Sequence, residues 1–295
     1  MSEYYWNSQI EYLSKTRWLL YNDDYLEFLV QKVWKISTPV RMVDFGCGYG
    51  YMGLKLMPLL PAGSTYTGID AGDQLIARGE ELFQDAPFET RFMQGDIQTI
   101  EIEQTYDLAV CHAFLLHVPN PNAILQKMLD SLVQGGRIIC FEPHWISGMA
   151  NYHLEGNPHS DIVQLGFLQK LFERDAAGSG SDGNIGIKLP VYLSALGVKQ
   201  IDCRLSDKVN FLDANIDEDE KRDLYQSIKA DGFGAAPSDE DAFIAGLIDR
   251  GATYEEAKRE FDTELSLSKA FQLHSSLVYA PTMKITSGIV ERGGS

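Results

Sequence analysis

The densest chemistry in this 295-residue chain lies in Val43-Asp44-Phe45-Gly46-Cys47-Gly48-Tyr49-Gly50, where an acid and three alternating glycines close an apolar run. Glycines at a strand-to-helix turn let the backbone approach a ligand closely. A dinucleotide fingerprint would need glycine at position 51 and does not usually open with an acid. Tyr51 and Asp44 stand at those positions, so the fit to a diphosphate cradle is poor. Twenty residues beyond Gly50, Gly68-Ile69-Asp70 ends the next apolar run with an acid. That is the place where α/β nucleoside sites accept hydrogen bonds from ribose hydroxyls. Asp96, in Gly95-Asp96-Ile97, offers a further carboxylate able to accept from an adenine amino group. Three acids around one tight turn suit a nucleoside ligand that carries positive charge.

The elements around these residues place them together. Apolar runs at Arg41 to Phe45, Thr65 to Ile69, Thr90 to Met93, Leu108 to His112 and Arg137 to Phe141 alternate with helical patterns. Such alternation predicts parallel strands joined by helical crossovers, with the strand ends facing one crevice. The stretch Pro121 to Leu132 carries Ile124, Leu125, Met128, Leu129 and Leu132 on one helical face and stops at Gly135-Gly136. Trp18, Tyr21, Tyr25 and Phe28, three or four apart, predict an amphipathic helix over 17–34 that Pro39 ends. Beyond the fifth strand the pattern predicts helices at Ser160 to Glu173 and Ile185 to Leu196, a loop at Gly178 to Gly183, and a strand at Val198 to Leu205. Three helical segments then hold most of the acidic surplus: Asp217 to Ala230, Ser238 to Arg250 and Tyr254 to Ala270. Strand character returns at Leu277 to Ile289.

S-adenosylmethionine has a sulfonium, an ammonium, a ribose and an adenine, and the acids and glycines answer each. Asp44-x-Gly46-x-Gly48-x-Gly50, Gly68-Ile69-Asp70, Gly95-Asp96 and Tyr106-Asp107-Leu108 also resemble the successive motifs of class I S-adenosylmethionine-dependent methyltransferases, over roughly residues 40–145. Gly135-Gly136-Arg137 and Ile185-Gly186-Ile187-Lys188-Leu189-Pro190 are similar to the small-molecule branch of that family. The long helical segment before the last strand departs from many members. The resemblance implies an α/β fold, a Rossmann-like, doubly wound, mostly parallel seven-stranded sheet. It divides the chain into an N-terminal helical lid segment at 1–38, a methyltransferase domain at 39–210 plus 274–292, and an inserted helical cap at 211–273. It also implies that Gly46 and Gly48 lie under the methionine moiety, that Asp70 binds the ribose and that Asp96 with Ile97 holds the adenine. Ala71 and Leu75 fall in the adenosine pocket. The backbone carbonyl of the segment at His112 receives the methionine ammonium, and Asp44 reads as part of the same site rather than as a capping residue.

Methyl transfer from a sulfonium is an in-line displacement, in which holding donor and nucleophile aligned is worth up to roughly 7–11 kcal/mol. No dedicated catalytic group is required unless the acceptor is a hydroxyl or an acidic carbon. His112, His117, Glu142 and His144 lie near strand ends, and His117 and His144 rank first as a base. The separations of His144, His153 and His159 match no helix face or finger spacing, so no metal is expected. Tyr4 to Trp6, ahead of the first helix, read as a lid.

Composition narrows the partners. With 25 Lys+Arg against 42 Asp+Glu and a net charge of -17, the chain repels phosphate backbones, and no basic cluster offsets this. Nucleic acid and membrane are therefore excluded as main partners, and a small-molecule methyl acceptor is expected. The N-terminal segment lacks an apolar leader core and no apolar run reaches membrane-spanning length, which reads as cytoplasmic. Cys47, Cys111, Cys140 and Cys203 form no CxxC pair and read as buried free thiols. A homodimer is left open. Two other functions stay in view: a nicotinamide-dependent oxidoreductase, disfavoured by Tyr51 and Asp44, and a noncatalytic nucleoside sensor or interaction module.

Overall fold

A computed structural model describes residues 4–102, 105–213 and 215–292. Ten strands follow one another along these residues: β1 Arg41–Phe45, β2 Thr65–Asp70, β3 Thr90–Gln94, β4 Tyr106–His112, β5 Leu132–Pro143, β6 Tyr152–Leu154, β7 Lys199–Leu205, β8 Asn210–Leu212, β9 Leu277–Tyr279 and β10 Met283–Ile289. Seven of them form one sheet in the order β3-β2-β1-β4-β5-β10-β7, and β6-β9-β8 form a smaller one. β1 to β5 pair in parallel, and β10 is antiparallel to both its neighbours. The doubly wound, mostly parallel seven-stranded sheet is thus the observed architecture.

The central strands are apolar because helices cover both their faces. Along β1, Val43 packs into a cluster with Ala109, Cys111, Leu125 and Ile138, while its neighbour Met42 faces Val110, Ile139, Met52 and Leu56 on the other side. The covering helix Pro121–Ser131 opens with Pro121 at its first turn and with the Asn120 side chain accepting the Ala123 N–H. Chain direction away from β1 reverses at β4, and the ends of β1, β2 and β4 align there, Phe45 lying opposite both Ile69 and Cys111. A crevice at such a switch point is where open α/β sheets bind ligands.

Several expectations need correction. The 17–34 segment is not one helix: it comprises a short turn Arg17–Leu19, a helix Asp23–Phe28 and a π-type turn Leu29–Val33, because Asn22 is extended (φ -88°, ψ 145°) between the first two. The 160–173 stretch likewise splits at extended Val163 into His159–Ile162 and Leu165–Ser179. The 277–289 run divides into β9 and β10 around Pro281, which has no N–H for a ladder. Cys203 is exposed rather than buried, since β7 is the sheet's edge strand; the other three thiols are buried. The three acidic segments form the helices Glu218–Ala230, Glu240–Asp249 and Tyr254–Ala270, all between β8 and β9. Residues 1–3 of the N-terminal segment lie outside the described residues.

Candidate functional site

A cavity of about 530 Å³ opens at the switch point. Its size falls in the ordinary range for small-molecule sites. All nine residues expected around the nucleoside line it: Asp44, Gly46, Gly48, Asp70, Ala71, Leu75, Asp96, Ile97 and His112.

The glycine turn is held by the Gly46 and Cys47 N–H groups, which both donate to the Ile69 carbonyl at 2.9 and 3.0 Å. Gly46 and Gly48 have φ of 66° and 56°, in the left-handed region that favours glycine. At Gly46 a Cβ would sit 2.2 Å from the Phe114 ring, so the bare backbone is a condition of that wall.

Each acid is in a different electrostatic state. Asp44 is 1% exposed. Its Oδ2 accepts the Tyr66 hydroxyl at 3.1 Å, while Oδ1 is buried without a protein partner. Burial pushes its pKa up to about 8, the Tyr66 bond opposing. Asp70 accepts the Gly48 N–H on one oxygen and the Gly72 N–H on the other, both at 2.9 Å. Burial raises its pKa while those amides pull it back. Each oxygen keeps a lone pair for a further donor. Asp96 is more open, and its Oδ1 accepts the Gln98 N–H at 2.8 Å.

The two ranked histidines part company. His117 lines the cavity at an exposed position, its ring 4.7 Å from that of Trp6. Crowding by protein atoms, aided by the charge of Arg17, lowers its pKa to about 4, so the imidazole is neutral at pH 7. His144 does not line the cavity. The fifth strand runs on to Pro143, past the expected Phe141, and this carries His144 to the start of the helix Trp145–Met149, in the field of Lys284, Asp182 and Lys188. His112 lies among Tyr21, Tyr51 and Phe141, with Nε2 unpartnered and its pKa driven down by burial first and by Arg17 second. Among the described residues no group of three potential ligands could hold a metal ion. No helix there is long and apolar enough to cross a membrane.

Sequence reasoning missed Arg17, the cation in this wall. Its guanidinium lies 5.8 Å from the centre of the Tyr12 ring, and no carboxylate among the described residues stands within ion-pair distance of it. The available signal was a basic residue inside the aromatic run from Tyr12 to Tyr21. Tyr4, Tyr5 and Trp6 also border the cavity, and Asn7 anchors them by donating to Asp73 at 2.6 Å. Burial, with Asp70 and Asp96 nearby, raises the Tyr4 hydroxyl to about 12.

Residues 36–169 match the family model of a methyltransferase domain. The match covers a little under half of the chain and overlaps the stretch whose motifs resemble class I S-adenosylmethionine-dependent methyltransferases. Its curated relatives include the ubiquinone biosynthesis O-methyltransferase of Pseudomonas savastanoi pv. phaseolicola, 29% identical over 100 residues, which are 33% of this chain and 42% of the relative. The enzyme of that name from Rickettsia akari is 24% identical over 118 residues, 39% of this chain and 46% of the relative. The chain therefore spans less than half the length of the curated relatives it matches. Among solved structures, a SAM-dependent methyltransferase from Geobacter sulfurreducens in complex with S-adenosylhomocysteine aligns over 99% of this chain and 100% of its own, at 16% identity and a TM-score of 0.51. Phosphoethanolamine N-methyltransferase 2 of Haemonchus contortus aligns over 98% of this chain and 58% of its own, at 12% identity and a TM-score of 0.52. These two share the fold.

The cavity fits the methyltransferase donor on its own terms. The unpartnered Asp44 Oδ1 is a buried acceptor suited to an ammonium, and at Gly48, where the nearest atom to a built Cβ is Leu13 at 3.9 Å, the turn has room for close backbone approach. Asp70, with one amide on each oxygen, keeps acceptor capacity of the kind a diol uses, and Arg17 is a cation of the kind a carboxylate pairs with.

Proposed function

We propose that the chain transfers a methyl group from S-adenosylmethionine to the hydroxyl of a small organic acceptor, with His117 as general base. The observation that carries this reading is one cavity lined by both the donor-suited acids and a neutral imidazole. The O-methyltransferase relatives support a hydroxyl as the nucleophile. When bound, the donor supplies an electrophilic methyl group on a sulfonium.

The chain's own residues then bind and align. Asp44 Oδ1 would hold the ammonium together with the His112 backbone carbonyl, and Arg17 would hold the carboxylate. An arriving cation beside Asp44 reverses part of the burial effect and favours the ionised form. Gly46 and Gly48 would lie under the methionine portion, Asp70 would take the ribose hydroxyls, and Asp96 with Ile97, Leu75 and Ala71 would surround the adenine. His117, neutral above about pH 4, accepts the acceptor's hydroxyl proton as the new bond forms. The N-terminal segment acts as a lid through Tyr4 to Trp6, which border the cavity, and the inserted helical segment backs it where the Trp18 indole N–H donates to the Ser227 hydroxyl at 3.0 Å.

Calorimetric titration with S-adenosylhomocysteine, followed by turnover against hydroxyl, amine, thiol and carbon acceptors, tests the proposal. Nucleoside binding and S-adenosylhomocysteine release with hydroxyl acceptors are expected. Binding without turnover across the whole panel would instead describe a sensor.

A further inference from the structure

We infer that Glu142 is a positioning residue for the transfer: from the end of β5, its carboxylate sets the turn that carries Phe114 and His117 into the cavity. The inference rests on the reading of His117 as the base and names the group that holds it.

Glu142 is 0% exposed and is not part of the cavity wall. One of its oxygens, Oε1, accepts the N–H groups of Phe114 at 2.9 Å and Leu115 at 2.8 Å, and the Cys111 thiol points at it from 3.7 Å. Oε2 has no partner. These amides open the single 3₁₀ turn Leu115–His117, which has no capping side chain of its own from Phe114. The first donors of any helical turn lack partners within it and need an acceptor from outside. Here a neighbouring strand supplies it.

The segment needs such a hold. Ala113, just before the turn, has φ of 47°, a region that residues with a side chain avoid. Its N–H bonds to the Phe141 carbonyl at 2.8 Å, so two consecutive residues of β5 fix both sides of the reversal. At the far end, the Leu116 carbonyl accepts the Ser181 hydroxyl at 2.7 Å and the Asp182 N–H at 3.0 Å. Phe114 then packs on Gly46, and His117 meets Trp6. An apolar residue at 142 would fill the space without the desolvation penalty of a carboxylate, but it would leave both amides without an acceptor. The carboxylate therefore acts on the reaction through the geometry of other residues.

Three variants and three readouts test this: Glu142→Ala removes the acceptor, Glu142→Asp withdraws it by one methylene, and Glu142→Gln restores a neutral one. Amide hydrogen exchange over 113–118 should quicken at least about tenfold in Glu142→Ala and Glu142→Asp, and return toward wild type in Glu142→Gln. S-adenosylhomocysteine affinity should stay within about threefold, while kcat with a hydroxyl acceptor falls about 10- to 100-fold and is largely rescued by glutamine. If Glu142→Ala does not fold, Glu142→Asp carries the comparison. Unchanged exchange, or faster exchange with wild-type kcat, overturns the positioning role. A wild-type protein that releases no S-adenosylhomocysteine with any acceptor overturns the methyl-transfer reading instead, and the two failures are separate.

Discussion

Replacing Asp44 by asparagine should stabilise the protein while weakening its grip on the donor. The buried carboxylate has its pKa raised from 3.8 to about 8. Between those limits the folded state keeps a proton that the unfolded state has released, so stability is greatest below 3.8 and declines as pH rises toward 8. Above that pH the whole penalty is present. At pH 7 the cost is on the order of 2–4 kcal/mol, from about 1.4 kcal/mol for each pKa unit and some relaxation of the site. Asparagine keeps an acceptor for the Tyr66 hydroxyl and has no charge to desolvate. Urea unfolding at pH 5, 7 and 9 should show the variant more stable than wild type, with the gap widening with pH. Calorimetry with S-adenosylmethionine should show affinity lower by about 10- to 100-fold, the scale of a lost hydrogen bond between charged groups, ~1.5–3 kcal/mol. A variant no more stable than wild type at pH 9, or one that binds the donor unchanged, refutes the reasoning.

Asp70→Ala should weaken S-adenosylhomocysteine binding by about 1.5–3 kcal/mol without unfolding the chain, and unchanged affinity would remove Asp70 from the ribose site. His117→Ala should lower kcat about 10²- to 10⁴-fold, the usual worth of a general base, with donor affinity retained. In wild type the proton on His117 binds only below about pH 4, so this group contributes no rising limb to the kcat/KM profile between pH 5 and 9. A limb near pH 6.5 assigned to His117 by its loss in the variant would contradict the low pKa. Gly46→Ala should abolish detectable donor binding, because its Cβ would overlap the Phe114 ring and its φ of 66° disfavours a side chain; thermal unfolding and calorimetry on the same sample separate misfolding from local loss.

Much of the donor site was legible because it is local. Strand, glycine turn and acid follow one another within a few residues, so β1 and Asp44 to Gly50 can be read from type and spacing alone. The helix Tyr254–Ala270 was legible for the same reason: Thr253 and Glu256 form a reciprocal cap at its start. What escaped depends on distant residues. Aromatic spacing over 17–34 fits a bent segment as well as a straight helix, and the break at Asn22 follows from its bonds to Asp207. Arg17 has no sequence partner that marks it. It reaches the cavity only because the N-terminal segment folds across the strand ends. His144 stood one strand-length from the crevice in sequence, but two further residues of β5 carried it away. The small sheet β6-β9-β8 joins short runs far apart in the chain, and no periodicity of three residues announces such pairing.

The most direct measurement is a crystal structure of the protein grown with S-adenosylhomocysteine. The ligand should lie at the β1/β4 switch point, with its ammonium in hydrogen-bond reach of Asp44 Oδ1, its ribose on Asp70 and its sulfur facing the space beside His117. Density for the ligand elsewhere, or in the cavity with the ribose turned away from Asp70, would contradict the assignment of donor and base together.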